Sequence, residues 1–258
     1  MSKNKRAILI LLILSALLFV GPGAADATSE GVVSPSIPDV TEQQSSSSAF
    51  NSSDSIGEEL AQGSIEWKVG WNIVNGSWFY ADSINPVSLH SGWLDTNGAW
   101  FWFDPETRVM ATGMLRLGDN AFWLDPSNGG AMALGWVRDG GSWYYAGKGG
   151  ALASGWLHLG SNWFWLDPET HAMATGMLRL GDNAFWLDPS NGGAMALGWV
   201  RDGGSWYYAG EGGALASGWL HLGSNWFWLD PETRVMAIGT LEINGCHCSF
   251  SDNGVLLG

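Results

Sequence analysis

The stretch GWLHLGSNWFWLDPET stands at residues 155–170 and again, letter for letter, at 218–233. It gathers a histidine, two carboxylates and three tryptophans, and two chemistries would use such a set. His158 with Asp167 and Glu169 is the inventory of a general acid–base site, where a positioned side chain moves a proton in the transition state. Tryptophan rings instead hold a cation that donates no hydrogen bonds, because the face of each π system is negative. The copies decide between the two. Asp-Pro-Glu-Thr is a turn signal; related segments put Ser127 or Ser190 where Glu169 stands, or lack the turn altogether. The carboxylates are therefore read as turn residues, no catalytic residue is assigned, and the rings keep the functional claim.

Cys246-His247-Cys248 places three metal-binding side chains in a row. Two thiols and one imidazole fall short of the four ligands of a structural zinc, so no metal is assigned, and no cofactor is implied. Residues i and i+2 of a strand lie near the upper limit of disulfide Cα spacing. A strained or intermolecular disulfide, or a pair of free thiols, are the readings that stay open.

The elements that must position the rings follow from internal repetition. Nine units of 20 to 22 residues open at Gly70, Gly92, Gly113, Gly135, Gly155, Gly176, Gly198, Gly218 and Gly239. A longer period lies over them: residues 113–175 and 176–238 match at 59 of 63 positions, differing only at Lys148/Glu211, His171/Arg234, Ala172/Val235 and Thr175/Ile238. Three kinds of unit alternate: a Met unit (GMLRLGDNAFWLDPSNGGAMAL), a Tyr unit (GWVRDGGSWYYAGKGGALAS) and a Trp unit (GWLHLGSNWFWLDPETHAMAT).

Each unit reads as a β-hairpin followed by a loop. In the Tyr unit, GWVRD and SWYYA are short aromatic and β-branched runs, and the intervening glycines supply the positive φ of a tight hairpin turn. Asp-Pro stops the second strand elsewhere, since proline donates nothing to a ladder. Alternation puts Trp136, Arg138, Trp143 and Tyr145 on one face and Val137 with Tyr144 on the other. A lone two-stranded hairpin is marginal in water, so stacked neighbours must bury it, and the expected fold class is all-β, a solenoid of hairpins over residues 64–238. The last unit, 239–258, lacks tryptophan and is expected to be a terminal cap.

The N-terminal quarter differs. MSKNKR leads into the 14-residue apolar run AILILLILSALLFV and then Ala25-Asp26-Ala27, the pattern of a secretory signal over residues 1–27. Residues 28–63 hold ten serines, six acids, no bases and a single aromatic, too little apolar surface to offset chain entropy, and are expected to be a disordered acidic linker. All 18 tryptophans fall between Trp67 and Trp228. Without the signal the chain carries 24 acids against 8 bases, a formal charge of −16. Nucleic acid as a partner is excluded on that balance, because its binding rests on Lys and Arg neutralising phosphate.

Gly-Trp opening the first strand, GGSWYYA and NGSWFYA in the second, and GGAMALGW or GGALASGW leading onward resemble the cell-wall-binding repeats of the choline-binding type. Those repeats occur on surface proteins and autolysins of Gram-positive bacteria, and the resemblance covers residues 70–258. It implies a left-handed superhelix with about three hairpins per turn and ligand sites between consecutive hairpins, each a box of aromatic walls around a quaternary ammonium. Two walls come from one hairpin's tryptophans and a third from the next hairpin. Five boxes are expected: Trp71, Trp78 and Trp102; Trp93, Trp100 and Trp123; Trp136, Trp143 and Trp165; Trp156, Trp163 and Trp186; Trp199, Trp206 and Trp228. Met units put Met114 and Ala121, or Met177 and Ala184, in the wall positions, so boxes starting there should be empty or weak. After Trp219 and Trp226 the third position falls on Ser249, which leaves that box open-sided. The implied partner is a cell-wall polymer, choline-bearing teichoic acid or a polysaccharide, with no membrane contact once the signal is removed. The implied place is the bacterial surface. A related branch, in glucan-binding domains and the tails of clostridial toxins, makes a neutral glucan the alternative ligand, and a stalk without a specific ligand is the alternative role.

Overall fold

A computed structural model describes residues 65–257. The expected signal at 1–27 and linker at 28–63 lie outside the described residues. The fold is all-β, a solenoid of stacked antiparallel hairpins, with two short 3₁₀ turns at Pro126–Asn128 and Pro189–Asn191 and no α-helix among the described residues. Its described residues form two compact units, one of residues 65–157 and 165–173, the other of residues 158–164 and 174–257.

The Gly135 hairpin shows why these residues fold this way. Strands Gly135–Asp139 and Ser142–Ala146 pair in the register Trp136↔Tyr145, Val137↔Tyr144 and Arg138↔Trp143, joined by a two-residue turn in which Gly140 and Gly141 both have positive φ. That turn matches the twist of the flanking strands. Gly135 itself sits at φ 75°, a left-handed entry that a side chain would strain, which accounts for the glycine that precedes each first-strand tryptophan. In the Gly113, Gly155, Gly176 and Gly218 hairpins the turn changes type: only its first residue, such as Gly118 or Gly223, has positive φ, whereas Asn97 and Gly98 of the Gly92 hairpin both do.

The two faces of each hairpin have different fates. One carries the end of the second strand into the core: Phe103, Leu124, Leu166, Leu187 and Leu229 are fully buried. The other carries the tryptophans. Within the first unit, Phe101 and Phe103 of the Gly92 hairpin join Met110 and Ala131, with Trp78 and Tyr80 of the preceding hairpin packed against them. Within the second, Val200 and Ala209 of the Gly198 hairpin join Ala184 and Trp186 of the hairpin before it. Stacking is therefore front to back, the tryptophan face of one hairpin under the core face of the next.

Loops nest in the same direction. Gly213 has φ 79°, and a Cβ there would collide with the Met195 sulfur, so the loop of one repeat closes directly on the methionine of the repeat before. Backbone bonds extend the stack: Leu152 donates to Ala121 O at 2.7 Å and Met236 to Trp206 O at 2.8 Å. Longer-range bonds tie one kind of unit to another, with Arg116 Nη2 donating to Glu169 O and Arg179 Nη2 to Glu232 O, both at 2.9 Å and 53 residues apart.

The Asp-Pro turns are built alike. Asp230 Oδ1 accepts from Glu232 N at 3.0 Å, Thr233 N at 2.7 Å and Thr233 Oγ1 at 2.8 Å, and Asp104 and Asp167 repeat the pattern with Thr107 and Thr170. These bonds, the Thr backbone N–H first, hold all three carboxyls below the ordinary aspartate value of 3.8. A depressed folded-state pKa means that the ionised form stabilises the fold: the contribution is complete above 3.8 and is lost as the pH falls through the lower folded values. The variant Asp104→Asn/Asp167→Asn/Asp230→Asn keeps the acceptor oxygen but removes the charge. Its melting temperature, followed by circular dichroism from pH 7 to pH 2, is expected to start lower and to fall less below pH 4 than that of the parent; parallel curves would count against the turns as the source of acid sensitivity.

Candidate functional site

The sites are assembled from residues i and i+7 of each repeat. Cross-strand register puts the two tryptophans of a hairpin on one face but diagonal to each other, so their rings meet edge to face. Trp71 and Trp78 lie 6.1 Å apart at 85°, Trp93 and Trp100 6.5 Å at 79°, and Trp136 and Trp143 6.3 Å at 88° in the first unit. In the second, Trp199 and Trp206 lie 6.3 Å apart at 88° and Trp219 and Trp226 6.2 Å at 85°. These are right-angled corners, and they stay open to solvent: Trp100 is 41% exposed and Trp143 40%.

The third wall differs from the sequence expectation. The ring that reaches Trp71 from the next hairpin is Phe101 at 4.8 Å, and for Trp93 and Trp199 it is Phe122 and Phe227, both at 5.0 Å. Trp102, Trp165 and Trp228 instead stand across their own hairpins from Trp93, Trp156 and Trp219, each at 5.2 Å. Front-to-back stacking is the reason. A tryptophan face meets the opposite face of the following hairpin, and in Trp-Phe-Trp that face carries the phenylalanine. In the Gly239 hairpin the same register position, opposite Leu241, is Cys248 rather than Ser249. Phe250 touches Trp219 there at 6.0 Å. Desolvation, with Cys246 beside it, raises the pKa of the Cys248 thiol.

Two expected walls are core residues. Trp123 and Trp186 are 8% and 9% exposed, and Tyr144 and Tyr207 of the following hairpins stack on them at 6.4 and 6.3 Å, nearly parallel. Both belong to Met units. With Ala121 and Ala184 where a second tryptophan would stand, the following tyrosine settles flat on the remaining ring, and the corner is filled by protein. Trp156 belongs to one compact unit, and Trp163 and Trp186 to the other. Trp163 stacks on His158 at 4.5 Å, as Trp226 does on His221 at 4.4 Å.

The histidines and carboxylates of the opening motif take separate structural roles. In the second copy His221 lies on a ring while Asp230 Oδ1 is occupied by three turn donors. One further feature had a signal in the sequence: Arg138 and Arg201, two residues after the first tryptophan and on its face, lie with Cζ 5.7 Å from the centres of Trp143 and Trp206.

The chain shares its repeats with known proteins. Residues 69–83, 135–152 and 198–215 match the family model of the cell wall binding repeat of the choline-binding type. CbpJ from Streptococcus pneumoniae TIGR4 is similar in structure, with a TM-score of 0.55 and 25% identity over 74% of this chain and 88% of that one. Choline binding protein F from Streptococcus pneumoniae is similar with a TM-score of 0.57 and 27% identity, over 70% of this chain and 61% of that one. In the presence of a peptidoglycan analogue, a tetrasaccharide-pentapeptide, the latter protein shares the fold at 20% identity and a TM-score of 0.54 over 73% of this chain and 86% of that one. No curated protein sequence matches the chain.

The burial difference predicts unequal costs. Trp123→Ala is expected to destabilise the protein by about 3–5 kcal/mol, the usual cost of removing a buried tryptophan, and Trp100→Ala by about 1 kcal/mol or less. Urea unfolding of the two variants measures this, and equal losses would show that the corner tryptophans are structural.

Proposed function

We propose that this chain, which carries cell-wall-binding repeats of the choline-binding type, is a secreted, non-catalytic protein that attaches noncovalently to the bacterial envelope by gripping choline-like groups of teichoic acid or a related polymer. The observation that carries this reading is the right-angled tryptophan corner, present in five hairpins and partly open to solvent in each. Two ring faces at a right angle border a spherical cation that offers no hydrogen bond. Each aromatic contact with such a cation contributes roughly 0.5–2 kcal/mol. A single site of this kind is weak. Several on one chain facing a repeating polymer gain orders of magnitude through effective concentration.

The likeness to CbpJ and to choline binding protein F supports the reading at the level of fold and repeat. Charge supports it more loosely: a surface at −16 without the expected signal attracts cationic groups and repels anionic ones. In this role the Asp-Pro turns and the Met units are scaffold, and the tryptophan corners alone touch the ligand.

Retention on a matrix that mimics choline tests the proposal. Residues 28–258 loaded on a diethylaminoethyl support should survive a wash in moderate salt and elute with free choline. Elution by salt alone, as the acidic charge predicts for simple ion exchange, would overturn it, and retention on a glucan column run in parallel would favour a neutral polysaccharide instead. The variant Trp136→Ala/Trp143→Ala should elute at a lower choline concentration than the parent, whereas Met114→Ala should elute with it; equal shifts would remove the corner as the site.

A further inference from the structure

The cap hairpin carries two sulfurs on one face of one strand. Its strands Gly239–Ile243 and Cys246–Phe250 pair as Ile243↔Cys246, Leu241↔Cys248 and Gly239↔Phe250, with Glu242↔His247 and Thr240↔Ser249 between them. Alternation therefore puts Cys246, Cys248 and Phe250 on one face with Leu241 and Ile243, and His247, Glu242, Thr240 and Ser249 on the other. Phe250 touches Trp219 at 6.0 Å, so the sulfur face is the one turned towards the Gly218 hairpin. Both cysteines are free; Cys246 is exposed, Cys248 is half-buried, and neither sulfur has a hydrogen bond among the described residues.

The donor set on that face is narrow. Leu241 and Ile243 stand directly across from the two cysteines, and Ile243 is buried. No oxygen or nitrogen side-chain donor of the hairpin shares the face, since its imidazole and carboxylate lie on the other. Ions that need three or four ligands are not served, and no group of three or more His, Cys, Asp or Glu side chains is placed to hold one among the described residues. Two thiols in apolar surroundings select a soft ion that is satisfied with two ligands, and copper(I) is such an ion.

Spacing decides between an ion and a disulfide. At about 3.4 Å per residue, positions i and i+2 of a strand stand about 6.8 Å apart. That is the upper limit of Cα separation for a disulfide, whose Cβ atoms must come within about 4.5 Å. One ion held in line between the sulfurs spans about 4.6 Å, taking the zinc–thiolate length of about 2.3 Å as the scale for each bond. The two side chains then lean together by only about 1 Å each, and the strand keeps its register. The thiols also act on each other: desolvation first, and then Cys246, raise the pKa of Cys248. A cation between the sulfurs offsets the repulsion of two neighbouring thiolates.

We propose that Cys246 and Cys248 form a two-coordinate copper(I) site on the face of the cap turned towards the Gly218 hairpin. Binding changes no oxidation state. Each thiol releases its proton to solvent and each sulfur donates an electron pair, so two thiols and one copper(I) give a bis-thiolate anion and two protons. The cap thereby adds a metal-binding activity that is independent of the tryptophan corners.

Copper transfer from a coloured chelator tests this. The purified protein, kept reduced and free of oxygen, is titrated into copper(I)-bathocuproine disulfonate and should withdraw one ion per chain. X-ray absorption of the product should show two sulfur neighbours and no nitrogen or oxygen. Cys246→Ser and Cys248→Ser should each lower the affinity by more than about a hundredfold, beyond the range for losing a mere outer partner of a metal ligand. His247→Ala and Glu242→Gln should leave it unchanged. Should a serine variant fail to fold, the absorption spectrum of the parent still decides. No copper uptake by a chain whose two thiols remain reactive, an equal loss in His247→Ala, or a nitrogen or oxygen neighbour in the spectrum overturns the assignment. A parent purified with an intramolecular disulfide in place of its thiols overturns it as well, because the sulfurs then meet without an ion.

Discussion

A two-stranded hairpin has two faces and no interior, and everything else in this protein depends on how those faces are covered. Burying one face requires a neighbour, and the neighbour's own second face then needs another. The chain meets this by laying each hairpin's tryptophan face under the phenylalanine, tyrosine or leucine face of the next, as Phe101 on Trp71 and Phe227 on Trp199 show. Side-chain alternation with period two supplies both faces from one five-residue strand. A tryptophan is too large to be covered fully by such a thin layer, so the stacking that stabilises the fold also leaves its rings partly open. The open corner is in this sense a by-product of how the stack is closed.

Where the chain needs closure and no corner, it changes two residues. Met114 with Ala121, and Met177 with Ala184, remove the walls, and the following tyrosine drops onto the remaining ring. The same backbone thus gives an open corner or a packed contact, with the choice made by side-chain volume alone. The Asp-Pro turns are indifferent to that choice. Their carboxyls are tied to threonine donors in the Gly92, Gly155 and Gly218 repeats alike, which is why a histidine and two acids beside three tryptophans amount to scaffold and ring wall rather than to a reaction centre.

Much of this was legible in the residues. Two-residue glycine turns, alternation and the nine openings at Gly-Trp or its equivalent defined the hairpins and their strand ends, because those signals are local. The paired walls were legible for the same reason: residues seven apart across a fixed turn have one possible register. The third wall was not. Alternation tells which side of its own hairpin a ring occupies, but not which side of the next hairpin it meets, and that depends on the direction of stacking. Trp102 and Trp228 were therefore placed one residue too far along, and Trp123 and Trp186 were counted as walls although the alanines of their own hairpins let a tyrosine cover them. The same offset hid Cys248, which stands where a phenylalanine would be.

The 63-residue block that recurs at 59 of 63 positions has a consequence for heredity. Near-identical coding segments in tandem misalign during replication and recombination, and a misalignment adds or removes a whole block. In a fold whose repeats touch chiefly their neighbours, such a change brings one front face against one back face, as before, and leaves no surface unmatched. Length, and with it the number of corners, is then a trait that lineages can adjust in single steps without passing through a misfolded intermediate form.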